Sequence, residues 1–77
     1  MIKILLFARL QEVIGKDQVE VEKAGSTVSH LKEWLQEEYA VGPLENTMTA
    51  INEQYAYDDE VVQEGDTIAF IPPVSGG

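Results

Sequence analysis

The sequence predicts an α+β fold in two layers, one mixed β-sheet crossed by one main helix. Three observations predict it. Only the segment opening at Gly25-Ser26-Thr27 is long and periodic enough for a helix of several turns. The remaining apolar segments are short, and the order along the chain reads β, short α, β, α, β, β, β. The first and last strands are the most apolar, as neighbouring strands in one sheet can be.

Each element follows from its residues. Ile2 to Phe7 is rich in β-branched and large apolar residues and reads as a strand. Ala8 to Ile14 carries Leu10, Val13 and Ile14 at helical spacing and meets Gly15, a short helix with its stop. Gln18 to Glu22 alternates polar and apolar, the mark of a half-buried strand. In the main helix Ser26 or Thr27 supplies the cap. Val28, Leu31, Trp34 and Leu35 form one stripe, Glu33, Glu37 and Glu38 lie opposite, and Gly42-Pro43 ends the run. Met48 to Ile51 is a strand that turns at Asn52-Glu53-Gln54 into Tyr55-Ala56-Tyr57. Thr67 to Ile71 is the last strand, stopped by Pro72, which cannot donate to a ladder. One helix on one sheet with first and last strands adjacent is the β-grasp arrangement. The domain is expected over residues 1–72, with residues 73–77 as an extended tail.

Composition narrows the function. The 77 residues allow a single domain. Absence of cysteine excludes disulfides, thiolate metal sites and thiol nucleophiles, and fits a reducing cytoplasm. A formal charge of −9 argues against nucleic acid and for basic protein surfaces as partners. No segment approaches the roughly 20 apolar residues of a membrane span, and the start of the chain lacks a signal-peptide pattern. A cytoplasmic protein without membrane partners is expected. His30 reads as a rim histidine, Asp58-Asp59-Glu60 as a solvated turn rather than an oxygen cage, and Trp34 as core or core edge. No metal site is expected.

Strand parity gives the first functional clue. Ile2, Ile4 and Leu6 share one face of strand one, and Lys3, Leu5 and Phe7 the other. A single long helix covers one face only. Some of Leu5, Phe7, Tyr55 and Ile71 therefore form an exposed apolar patch, the kind of surface that meets a partner.

The chain closes on Pro72-Pro73-Val74-Ser75-Gly76-Gly77. Two terminal glycines arise by chance in roughly 0.5% of chains, so the pair is a signal. Pro72-Pro73 stiffens the exit from the strand. The five residues after Pro72 reach about 16 Å at roughly 3.3 Å each. Gly76 and Gly77 carry no side chains, so the terminal carboxylate can enter a narrow passage. That carboxylate, with a pKa near 3.5, is ionised at neutral pH and needs activation as an acyl phosphate or adenylate by a partner. The chain has no phosphate-cradling loop to do this itself.

On these residues the chain resembles the small, sulfur-carrier subunits of molybdopterin synthase, a family of ubiquitin-like β-grasp proteins. The likeness runs from Met1-Ile2-Lys3-Ile4-Leu5-Leu6-Phe7-Ala8 and Leu10 to Gly15, through Thr27-Val28, Ile51-Asn52 and Gly65 to Phe70, to the Gly-Gly end. Residues 39–47 carry none of it. The resemblance implies that an E1-like enzyme adenylates Gly77 with ATP, and that a sulfur-donor protein converts it to a covalent thiocarboxylate. The tail then enters the large catalytic subunit, in an assembly of two small and two large subunits, and donates sulfur for the molybdopterin dithiolene. No cofactor is held permanently. The carrier is then a substrate and not an enzyme by itself. Gly76 gives the tail access, and Leu5, Phe7, Tyr55, Ile71, Pro72, Pro73, Val74 and Ser75 are the expected partner contacts. Two alternatives are a thiamine-pathway sulfur carrier and a binding module with an inert tail. An acyl carrier would need serine within Asp-Ser-Leu at a helix start, a context that Ser26, Ser29 and Ser75 all lack.

Overall fold

A computed structural model describes residues 1–44 and 46–72. The elements are β1 (Ile2–Leu6), α1 (Ala8–Ile14), β2 (Gln18–Val21), α2 (Val28–Tyr39), β3 (Met48–Ile51), β4 (Gln54–Tyr55) and β5 (Thr67–Ile71), in the order expected. The five strands form one sheet in the order β2-β1-β5-β3-β4. First and last strands lie side by side and parallel at its centre, and the other pairs are antiparallel. This is the β-grasp topology.

One face of the sheet is dry. Ile2, Ile4 and Leu6 of β1 and Ile68 and Phe70 of β5 point into it, and all are at most 1% exposed. Val28, Leu31 and Leu35 of α2 and Leu10 of α1 pack into the same cluster. Each fully buried side chain of this size contributes about 1.5–3 kcal/mol by leaving water. Loop residues Val41, Leu44 and Val62 complete the core, although no periodic pattern announces them.

The first turn of α2 is closed by its own cap and by neighbours. Thr27 Oγ1 accepts from the His30 amide at 3.1 Å, settling the cap on Thr27. The Val28 and Ser29 amides, orphans of the first turn, donate to the carbonyls of Glu60 and Asp58. The helix ends at Tyr39, before the expected Gly42-Pro43, because Ala40 turns left-handed at φ 51°. Lys32, on the same helix, is buried despite its charge. Its Nζ donates to the Thr47 carbonyl at 3.2 Å and to Asp58 Oδ1 at 2.9 Å.

Trp34 is half-buried at the core edge, as expected, stacked edge-on against Tyr39 with Lys23 over its ring. Three strand limits are corrected. β1 stops at Leu6, one residue short of Phe7. β2 stops at Val21, one residue short of Glu22. β4 comprises Gln54–Tyr55 rather than Tyr55 to Tyr57. Asn52 and Glu53 both take positive φ, 50° and 70°, and close a two-residue hairpin, so Gln54 already pairs with Ile51. Beyond β4 the Ala56 amide still reaches the Thr49 carbonyl, and Tyr57 then enters a turn closed by Glu60. Among the described residues no helix is long and apolar enough to cross a membrane.

Candidate functional site

Among the described residues no helix lies over the second face of the sheet, and its shape follows from the register. One cross-strand row runs Leu5 to Ala69, Ala69 to Ala50 and Ala50 to Tyr55. Directly opposed side chains in a sheet sit about 4.5–5.5 Å apart. Two methyl groups between a leucine and a tyrosine therefore leave a trough. Met48 opposes Ile71 in a neighbouring row. The result is an open groove of about 650 Å³, lined by Leu5, Phe7, Tyr55 and Ile71 over the two alanines. Asn52, Glu53 and Thr67 complete its lining.

Four residues singled out from parity thus share one concavity. Phe7 is 43% exposed, Ile71 37% and Tyr55 75%, whereas Leu5 is half-buried. Phe7 is extended, and Ala8 then turns left-handed at φ 51° to start α1. That abrupt change separates the exposed Phe7 from Leu10, which enters the core. Single non-glycine residues in this region are strained by about 1–2 kcal/mol and persist where packing holds them.

The hairpin end of the groove is pinned from behind. Asn52 Nδ2 donates to Asp66 Oδ1 at 2.9 Å, and Asn52 Oδ1 accepts from the Thr67 amide at 3.0 Å. The Asn52 amide in turn reaches the Thr67 carbonyl at 2.7 Å. Asp66 Oδ2 accepts from the Gln63 amide at 2.8 Å. Donation from Gln63 first and Asn52 second holds the Asp66 carboxyl below its ordinary range, because both bonds favour the charged form.

Because β1 and β5 are parallel with Leu6 beside Phe70, the chain leaves β5 at the end of the sheet where Phe7 stands. Pro72, half-buried, is the last residue described. The other expected tail residues, Pro73, Val74, Ser75, Gly76 and Gly77, lie outside the described residues.

The remaining candidates sit elsewhere. His30 is exposed on α2. Of the acidic triplet, Asp58 receives Lys32 and Glu60 Oε2 caps the Tyr57 amide at 2.6 Å. Among the described residues no group of three or more His, Asp or Glu could hold a metal ion. Sequence reading missed the positions of Ala50, Ala69 and Glu53 in the groove. Counting Asn52-Glu53 as a two-residue hairpin loop would have fixed the register and found them.

Comparison with known proteins adds the family. Residues 4–77 match the model of the ThiS family. The chain is 36% identical to the molybdopterin synthase sulfur carrier subunit of Escherichia coli K12, over the whole of both chains. It is 41% identical to the protein of that name from Dictyostelium discoideum, with 97% of this chain and 94% of the relative covered. The crystal structure of SAMP1 from Haloferax volcanii superposes with a TM-score of 0.81 at 28% identity, covering 99% of this chain and 98% of that one.

Proposed function

The chain belongs to the ThiS family, and from that premise we propose that it is the sulfur-carrier subunit of a molybdopterin synthase. Sulfur rides on the carboxyl end of Gly77, in a tail of residues 73–77 attached to a rigid domain of residues 1–72. A carrier with no cysteine has no side-chain thiolate to hold sulfur, and the terminal carboxylate is the alternative.

Each step follows from that carboxylate's chemistry. Ionised at neutral pH, it is a poor electrophile. An E1-like partner joins its oxygen to the α-phosphorus of ATP and releases pyrophosphate, which makes AMP the leaving group. The outer sulfur of a donor protein's persulfide attacks the acyl adenylate, expelling AMP and giving an acyl disulfide. A second thiol then cleaves that S–S bond, leaving the thiocarboxylate on the carrier and a disulfide on the donor side. Gly76 and Gly77 then pass into the large subunit, where the sulfur is transferred to the pterin precursor. Small residues at the tip keep the passage narrow and water out.

The observation that carries this reading is geometric. β5 delivers the chain toward Pro72 at the end of the sheet where Phe7 and Ile71 open to solvent. A large subunit that receives the tail therefore meets the apolar groove in the same encounter. Leu5, Phe7, Tyr55 and Ile71 seat that partner, and the names of the curated relatives, subunits of a synthase, support an assembly of this kind.

Intact-mass measurement after incubation with the activating enzyme, ATP and a sulfur donor tests the proposal. The expected result is the mass gain of one oxygen-to-sulfur exchange, confined to the C-terminal peptide. No gain with partners shown active on another carrier overturns it. A thiocarboxylate accepted by a thiazole-forming enzyme and refused by the large subunit would assign the chain to the thiamine pathway instead.

A further inference from the structure

We propose that Glu53 is a selectivity residue of the groove, which takes a partner segment carrying a lysine or arginine opposite the Glu53 carboxylate. The inference rests on the groove being the large subunit's seat.

Among the described residues lining the groove, Glu53 is the one that carries a charge. Elsewhere on this face, Lys3 and Glu20 stand directly opposite each other in the β1–β2 register, so opposite charges face each other across the strands without an ion pair. Glu53, in the hairpin loop, has no residue registered opposite it, and among the described residues its side chain makes neither a hydrogen bond nor an ion pair, while its neighbour Asn52 spends its amide on Asp66 and Thr67.

Its backbone is unusual as well. Glu53 holds φ 70° in a two-residue hairpin, a position where glycine is the unstrained choice. Asn52 ahead of it is anchored by three hydrogen bonds, one to Asp66 and two to Thr67 at the start of β5. A strained residue on a pinned turn is thereby presented at the groove with an uncommitted carboxylate.

Docking supplies the selection. A partner that covers Leu5, Phe7 and Ile71 with apolar side chains also removes water from around Glu53. An unpaired carboxylate resists that, and a cation beside it repays the loss. The stem of a lysine or arginine suits the place, since its methylenes can lie along Tyr55 while its charge meets Glu53. The chain's charge of −9 adds long-range attraction for the same kind of surface. A partner offering an apolar or acidic residue there is rejected, so Glu53 distinguishes among proteins that could all accept the tail.

The test is the affinity of the full chain for the cognate large subunit, by calorimetry, between about 0.1 and 1 M salt, where the screening length falls from about 10 to 3 Å. Glu53→Gln is expected to weaken binding about tenfold at low salt and to lose much of the salt dependence, and Glu53→Lys to weaken it about a hundredfold. Glu53→Gly relieves the turn and should bind as Glu53→Gln does, which separates charge from strain. An Ile71→Asp chain serves as the control for the seat. If Ile71→Asp loses binding while Glu53→Gln and Glu53→Lys bind as wild type at every salt concentration, the proposal is overturned and the groove stands. If Ile71→Asp binds as wild type, the groove itself is wrong. Far-ultraviolet circular dichroism confirms that each variant is folded before titration.

Discussion

Phe70 and Ile71 are consecutive on β5, yet one is fully buried beneath α2's apolar stripe and the other is 37% exposed beside the groove. The same division runs along β1 and into Phe7 after it: Ile4 and Leu6 are sealed, Leu5 and Phe7 are not. Both faces are apolar, so hydropathy does not separate them. Coverage does: the helical layer packs on one face, and alternate side chains of the same strands are left for something else. One face holds the domain together and the other is available for recognition.

The sharpest way to break this comparison is to truncate one residue on each face. Phe70→Ala should destabilise the domain by about 3–5 kcal/mol, through lost transfer energy and a cavity. Ile71→Ala should change stability by no more than about 0.5 kcal/mol. Urea unfolding of the two variants checks this directly, and similar losses for both would erase the distinction. A smaller effect tests how the covered layer is closed at its edge. Lys32→Ala orphans the Thr47 carbonyl and should cost about 1–3 kcal/mol. Most of that belongs to the carbonyl, because Asp58 is largely exposed and water can replace the ammonium. Asp58→Asn should accordingly lose less than Lys32→Ala in the same assay.

The smallest effect is a pH dependence at the hairpin. The Asp66 carboxyl is held below its ordinary range in the folded chain, so its bonds stabilise the fold above the unfolded value of about 3.9. That contribution is lost as pH falls through the lowered folded value. The stability difference between wild type and Asp66→Asn, present at neutral pH, should therefore shrink in acid. Urea midpoints measured down a pH series would show it, and a constant difference would contradict the assigned bonds.

Much of this architecture is legible in the residues, for identifiable reasons. α1 and β5 were bounded by strong punctuation, Gly15 and Pro72, and the observed limits agree. The strand faces followed from period-two alternation marked by one charge, Lys3. Val41, Leu44 and Val62 were not legible, since they reach the core from loops, where no period exists to mark them. Lys32 also escaped, because its burial depends on Thr47 and Asp58, both distant in the chain. The groove's outline needed the cross-strand register, which a two-residue difference in hairpin length would change. The tail's chemistry was read from Pro72-Pro73, Gly76-Gly77 and the absence of cysteine, and of these tail residues only Pro72 is among those described.

The division between faces meets the proposed function in one measurement: sulfur delivered by a thiocarboxylated Ile71→Asp carrier to the large subunit in a reconstituted synthase. The account predicts a variant that melts as wild type does and delivers almost no sulfur, because an unpaired carboxylate now lies in the seat. Delivery at the wild-type rate by that folded variant would contradict it.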